Sequence, residues 1–63
     1  MAQVVFGKFN PNGVLIESIK GSYLIQKDDS VQVWHQDVQG EDTVVGVFQL
    51  DKGFSIQRTD MKV

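Results

Sequence analysis

The sequence predicts an all-β fold, a small antiparallel meander of five or six strands. Runs rich in Val, Ile, Phe and Tyr, each of strand length, recur along the chain, and polar or glycine-containing segments separate them. No window of about 11 residues repeats its apolar positions with a helical period. The strands are expected at residues 3–9, 14–20, 22–27, 31–38, 43–50 and 54–59.

The segments between these runs predict tight turns. Asn-Pro-Asn-Gly at residues 10–13 combines a proline that presets φ with two residues that tolerate positive φ. Gly53 suits the left-handed position of a hairpin at residues 51–53. Connections this short predict a meander that closes into a barrel, SH3-like or OB-like in strand count only, or that folds into a tight sandwich. Such a likeness does not indicate a function.

Size and composition restrict the classes of protein that the chain can belong to. Its 63 residues form one domain, residues 1–63, whose core rarely supplies more than about 3–5 kcal/mol of net stability. The chain has no Cys and one His, so disulfides, thiolate metal sites and poly-His sites are excluded, and we expect no metal or cofactor. Any further stability would then come from self-association or from tight, idealised packing.

Charge and the N-terminal sequence bear on partners and location. The net charge is −2 and the pI is about 5.0. Non-specific binding to nucleic acid depends on excess Lys and Arg, so we do not expect it. The N-terminus lacks a signal-peptide pattern, and no apolar run approaches the ~20 residues that span a bilayer. We therefore expect an acidic cytoplasmic protein with no membrane partner.

The run Val44-Val45-Gly46-Val47-Phe48 is apolar on both faces of its strand. Strict alternation places Val45 and Val47 on one side, and Val44 and Phe48 on the other. A chain this short can hardly build a core on both sides of one sheet. Either the sheet curls on itself or a second molecule covers the spare face.

Three other strands, the first, the second and the fourth, show the same conflict. In the run 31–38, Val31 and Val33 share one face and Trp34 lies on the other, so burial of either set exposes the other. In the first strand, Val5 and Phe9 lie opposite Val4 and Phe6. Bulges and curvature, with Gly7 and Gly46 as bend points, could bring all of these residues into one core.

Contiguous exposed apolar residues are typical of interaction surfaces. The function predicted from this pattern is a small, non-enzymatic protein–protein interaction module that self-associates as a homo-oligomer. Aromatic residues are the usual anchors of such interfaces. The candidate binding residues are therefore Trp34, Val31, Val33, Val5 and Phe9.

Two alternative binding functions stay open. One is an inhibitor that imitates nucleic acid, whose acidic loops face a basic, nucleic-acid-binding surface of a protein partner. Its candidate residues are Asp28, Asp29, Glu41 and Asp42, which lie in two loops expected at opposite ends of a hairpin. The other is a small barrel that binds single-stranded nucleic acid by stacking bases on its aromatic residues, although few basic residues are interleaved with them.

Catalysis has little support in the sequence. A nucleophile, base and orienting acid could be drawn from Ser30, His35 and Asp37, but a nucleophile also needs an oxyanion hole and a pocket. The carboxylate pairs lie in polar loops, where nothing raises the pKa of one member as glycosidase chemistry requires. No phosphate-binding or EF-hand pattern is present. We therefore expect no catalytic residues.

Overall fold

The computed structural model describes residues 4–59, and every regular element in this range is a β-strand. The all-β prediction is confirmed, and each strand matches one of the six expected runs to within two residues at either end. The strands are β1 Val4–Phe9, β2 Leu15–Gly21, β3 Tyr23–Lys27, β4 Ser30–Gln36, β5 Asp42–Gln49 and β6 Ser55–Arg58.

The strands form two three-stranded antiparallel sheets. The first has the order β2-β1-β6 and the second the order β3-β4-β5. Only the second is a meander, because β6 returns to pair with β1. The prediction of a closed barrel is wrong for residues 4–59, since β3 pairs only with β4 and β6 only with β1. The hydrogen-bond ladders of the two sheets therefore never join.

The chain passes between the sheets within one residue, Ser22. The Ser22 N–H donates to the Trp34 carbonyl oxygen over 2.6 Å, and the Ser22 hydroxyl accepts the N–H of Gln36 over 3.0 Å. A Cβ atom at Gly21 would collide with Val33 Cγ1 and would lie 2.9 Å from the Trp34 carbonyl oxygen. Glycine at this position lets the end of β2 press against β4.

Side chains and glycines close the predicted turns as expected. The Asn10 side-chain oxygen accepts the N–H groups of Asn12 and Val14, each over 2.9 Å, and Gly13 has a φ of 82°. In the turn after β5, the Phe54 N–H donates to the Asp51 carbonyl over 3.0 Å. These local bonds satisfy the backbone where each strand ends.

The core lies between the two sheets and is small for the length of the chain. Within residues 4–59, four apolar side chains are buried, and half-buried ones pack around them. The radius of gyration is 12.0 Å, whereas a compact chain of this length is expected to have about 10.6 Å. The buried side chains are Phe6, Val31, Val33 and Phe48, and the surrounding ones are Val4, Ile19, Leu24, Leu50 and Ile56.

A bulge in β5 changes which valines share a face. Val33 pairs with Gly46 and the next residue, Trp34, pairs with Val44, so Val45 is the extra residue. The expectation that Val44 shares the face of Phe48 is therefore wrong. The bulge lies beside Gly46, one of the two expected bend points.

The other expected bend point, Gly7, has a different role. The register of β1 with β2 is regular at Gly7 and shifts after the next residue, between Lys8 and Phe9. A Cβ atom at Gly7 would lie 2.6 Å from both Leu15 Cδ1 and Thr59 Cγ2. Gly7 thus makes room for side chains that fold over the outside of the first sheet.

Candidate binding surface

The outer face of the second sheet carries an exposed apolar surface, which we call the outer patch. The strand register sets two cross-strand rows, each running from β3 through β4 to β5. Ile25, Val44 and Val47 are 37%, 45% and 52% exposed. The first row is Tyr23, Trp34 and Val44, and the second is Ile25, Gln32 and Val47.

Trp34 is held in place at the centre of the outer patch. Its indole stacks on the Tyr23 ring with centroids 6.3 Å apart and planes inclined by 7°. Its Nε1–H donates to the Gln32 side-chain oxygen over 3.1 Å. Because both interactions exist before any partner binds, little side-chain freedom is left to lose on association.

Tyr23 is tied to the other edge of the sheet through Asp42. Partial burial of the phenol, the negative charge of Asp42 and a hydrogen bond with that carboxylate all raise the pKa of Tyr23 above its ordinary value of 10.0. Tyr23 is the only tyrosine of the chain. Tyr23 and Asp42 thus form a polar edge of the outer patch, and their hydrogen bond fixes its position.

The structure resolves which face of β4 is buried. Val31 and Val33 are 5% and 0% exposed and belong to the core, while Trp34 lies on the outer face. Val31 and Val33 were expected to lie on the binding surface, and the structure places them in the core instead. The physical reason is the alternation of the strand, which points them at Phe6 and Phe48 between the sheets.

Val5 and Phe9 do not join Trp34. They alternate with the buried Phe6 on β1, and they therefore lie on the outer face of the first sheet, the other layer of the molecule. Both side chains are half-buried. Of the five candidate binding residues, only Trp34 belongs to the outer patch, and Tyr23, Ile25, Val44 and Val47 were missed.

The candidate acidic residues fall at opposite ends of the second sheet. Asp28 and Asp29 form the turn between β3 and β4, where the Asp29 carbonyl accepts the N–H of Leu50 over 2.8 Å. Glu41 and Asp42 lie at the other end, where β5 begins. The two pairs therefore lie at opposite ends of the sheet, which is where the hypothesis of an acidic inhibitor expects them.

The residues considered for catalysis are also separated. Ser30 opens β4 opposite Gln49, and His35 lies five residues on, roughly 16 Å along an extended strand. The Ser30 hydroxyl donates to the Lys27 carbonyl over 3.1 Å. The Asp37 carboxylate accepts the N–H groups of Gln39 and Glu41, over 2.8 and 2.9 Å, and thereby shapes its own loop.

Within the described part of the chain, no group of three or more His, Asp or Glu side chains is arranged to hold a metal ion. Residues 4–59 contain no helix that is long and apolar enough to cross a bilayer.

A cavity of about 510 Å³ opens between the two sheets, and we call it the inter-sheet cleft. It could not be found from sequence, because its walls come from strands whose relative positions depend on packing between distant segments. The sequence does indicate one feature beside the cleft, because the alternation of Val4, Phe6 and Lys8 places a lysine on the core face of β1. The lining residues are Leu24, Gln26, Val31, Leu50, Phe54, Ser55 and Ile56.

The comparisons with known proteins return no matching family model, no matching curated protein and no matching solved structure.

Proposed function

We propose that the protein is a non-enzymatic interaction module that self-associates by packing the outer patch of one copy against that of another. The observation that carries the proposal is a contiguous, exposed apolar surface centred on an ordered tryptophan. Aromatic residues held in a rigid conformation are typical anchors of protein interfaces. A patch of this kind on a small soluble chain is typical of an interaction site.

The occupant best suited to the outer patch is a second copy of the chain. Two copies related by a two-fold axis present the same surface to each other, so apolar rows meet apolar rows. The six residues of the patch carry no formal charge, and the carboxylate of Asp42 lies at the edge of the patch, where it holds Tyr23. Association would also add buried apolar surface to the small core that the described residues form.

The two alternative functions have less support. The outer patch contains no Lys or Arg beside its aromatic pair, and the net charge is negative, which disfavours binding to a nucleic-acid backbone. The acidic pairs lie at the two ends of the second sheet, as the hypothesis of an acidic inhibitor expects, but acidic loops at these positions are equally typical of an ordinary solvated surface. Self-association through the outer patch is therefore the function that we put forward.

Sedimentation of matched variants tests the proposal. Val47→Glu places a charge in the outer patch, and Val38→Glu places the same charge on a loop residue that is 89% exposed and outside the patch. We expect the wild type and Val38→Glu to form dimers and Val47→Glu to be monomeric at the same concentration. A wild type that stays monomeric at high concentration, or a Val47→Glu variant that associates normally, would contradict the proposal.

A further inference from the structure

The inter-sheet cleft opens to solvent between two free strand edges. On this side of the molecule β3 pairs only with β4 and β6 only with β1, so neither sheet closes over the opening. The volume of about 510 Å³ falls within the range of roughly 300–1,000 Å³ that is typical of ligand pockets. Leu24 and Val31 form one wall and Ile56 lies on the other, so an apolar chain would contact both sheets.

Lys8 lies next to the inter-sheet cleft and is almost completely buried. It is 8% exposed, and it pairs across the first sheet with Ile56, which lines the cleft. Its ammonium lies 4.9 Å from the ring centroid of Phe54, another lining residue. A positive charge therefore lies beside two apolar residues of the cleft, whose lining also includes the polar Gln26 and Ser55.

The ion pair of Lys8 leaves capacity for a second anion. Its Nζ lies 3.6 Å from the Asp51 carboxylate, whose side chain is mostly exposed. Charge-assisted hydrogen bonds are shorter, about 2.7–2.9 Å, and an ammonium carries three donors. A buried charge gains most from close, well-aligned partners, so a ligand anion at this position would compensate Lys8 better than Asp51 alone.

From this geometry we infer that the inter-sheet cleft binds an aliphatic monocarboxylate, with its alkyl chain in the cleft and its carboxylate against Lys8. Each methylene group buried there strengthens binding about fourfold. The net charge of −2 disfavours anions at the surface in general, so a preference for an anionic head must come from Lys8. This site is separate from the outer patch and does not depend on self-association.

Calorimetric titration with three ten-carbon probes tests the inference: decanoate, 1-decanol and decyltrimethylammonium. We expect the wild type to bind decanoate about tenfold or more tightly than either of the other two. Lys8→Met keeps an unbranched side chain but removes the charge, so it should still bind decanol and lose the preference for decanoate. Lys52→Met, a change in the exposed turn before β6, is the matched control and should behave as the wild type.

Amide chemical shifts of the wild type locate the site without any variant. Decanoate should shift the signals of Leu24, Leu50 and Ile56, and should leave Trp34 and Val47 of the outer patch unchanged. The inference is overturned if decanoate does not bind saturably, if decanol binds as tightly, or if the shifts are confined to the outer patch. If the shifts are confined to the outer patch, the inference about the cleft fails while the proposed function of the outer patch still stands. The two failures can therefore be distinguished.

Discussion

Trp34 lies against Tyr23 in a nearly parallel stack, with ring centroids 6.3 Å apart, on the exposed side of the second sheet. The two residues face each other across the β3–β4 ladder. Cross-strand aromatic pairs of this kind contribute roughly 0.2–1 kcal/mol to a sheet. The stack therefore stabilises the sheet modestly, and its main consequence is an ordered aromatic surface that faces solvent.

We predict that Trp34→Ala weakens association more than it weakens the fold. Loss of an anchor residue typically costs 2 kcal/mol or more of binding free energy, about a thirtyfold rise in the dimer dissociation constant. The measurement is sedimentation over a range of concentrations, with urea unfolding of the dilute monomer as the stability reference. Phe9→Ala, on the other sheet, is the aromatic control and should leave association unchanged.

Intrinsic fluorescence gives a second test of the same surface, since Trp34 is the only tryptophan. Diluting the wild type should shift its emission to longer wavelengths, because the indole loses its apolar cover as copies separate. An emission that does not change with concentration, together with unchanged association of Trp34→Ala, would show that the indole is not at an interface.

Stability should fall in alkaline solution because of Tyr23. Its pKa is raised by partial burial, by the charge of Asp42 and by their hydrogen bond, so the folded state keeps the proton to higher pH than the unfolded state does. The stabilisation is fully present below about pH 10, the unfolded pKa, and is lost as the pH rises through the folded pKa. In Tyr23→Phe this component of the pH dependence should be missing.

Absorbance of the phenolate reports the titration directly, because the chain has no other tyrosine. Asp42→Asn should lower the pKa of Tyr23 toward 10.0, since it removes both the charge and the carboxylate acceptor. Glu41→Gln removes a neighbouring charge that does not perturb Tyr23, and it should leave the titration where it is. Equal pKa shifts in both variants would mean that Tyr23 responds to the net charge of the protein rather than to Asp42 in particular.

Neighbouring residues on β5 should differ sharply in their effect on stability. Phe48 is fully buried, and Phe48→Ala should cost about 3–5 kcal/mol of unfolding free energy, comparable with the whole stability expected of so small a domain. Val47→Ala, one residue away on the outer face, should cost about 0.5 kcal/mol or less in the dilute monomer. Urea unfolding followed by circular dichroism distinguishes the two, and similar costs would mean that the assigned faces of β5 are wrong.

The strands could be predicted from sequence because their causes are local. β-Branched and aromatic runs favour extended backbone, and residues such as Gly13 and Gly53 end those runs with positive φ. The pairing of β6 with β1 has no such local cause, since it joins segments from the two ends of the described chain. Local sequence features therefore predict where the strands lie but not how the strands pair with one another.

The exposed face was only half predictable for a related reason. Alternation showed that either Trp34 or the pair Val31 and Val33 must face outward, but the choice depends on the close approach of Gly21 to Val33. The bulge that turns Val44 outward likewise depends on packing between the layers, where Gly46 lies opposite the tip of Ile19. Contacts between the two sheets therefore determine both which face of β4 is buried and where Val44 points.

The crossing between the sheets depends on glycine at position 21. A Cβ atom at Gly21 would meet Val33 and would lie 2.9 Å from the Trp34 carbonyl, a backbone atom that the β4 ladder holds in place. Gly21→Ala should therefore cost about 1–3 kcal/mol or more of unfolding free energy. It should also weaken the 2.6 Å hydrogen bond from the Ser22 N–H.

Gly46→Ala is the matched comparison, because its new methyl would meet only the side chain of Ile19, 2.6 Å from Cδ1. A side-chain tip can rotate where a backbone carbonyl cannot, so this variant should lose less stability than Gly21→Ala. Ile19→Val removes that Cδ1 methyl, so it should cost less in the Gly46→Ala background than in the wild type, a coupling measurable by a double-mutant cycle. If Gly21→Ala unfolds at the wild-type urea concentration, β2 and β4 cannot be as close at the crossing as the structure places them.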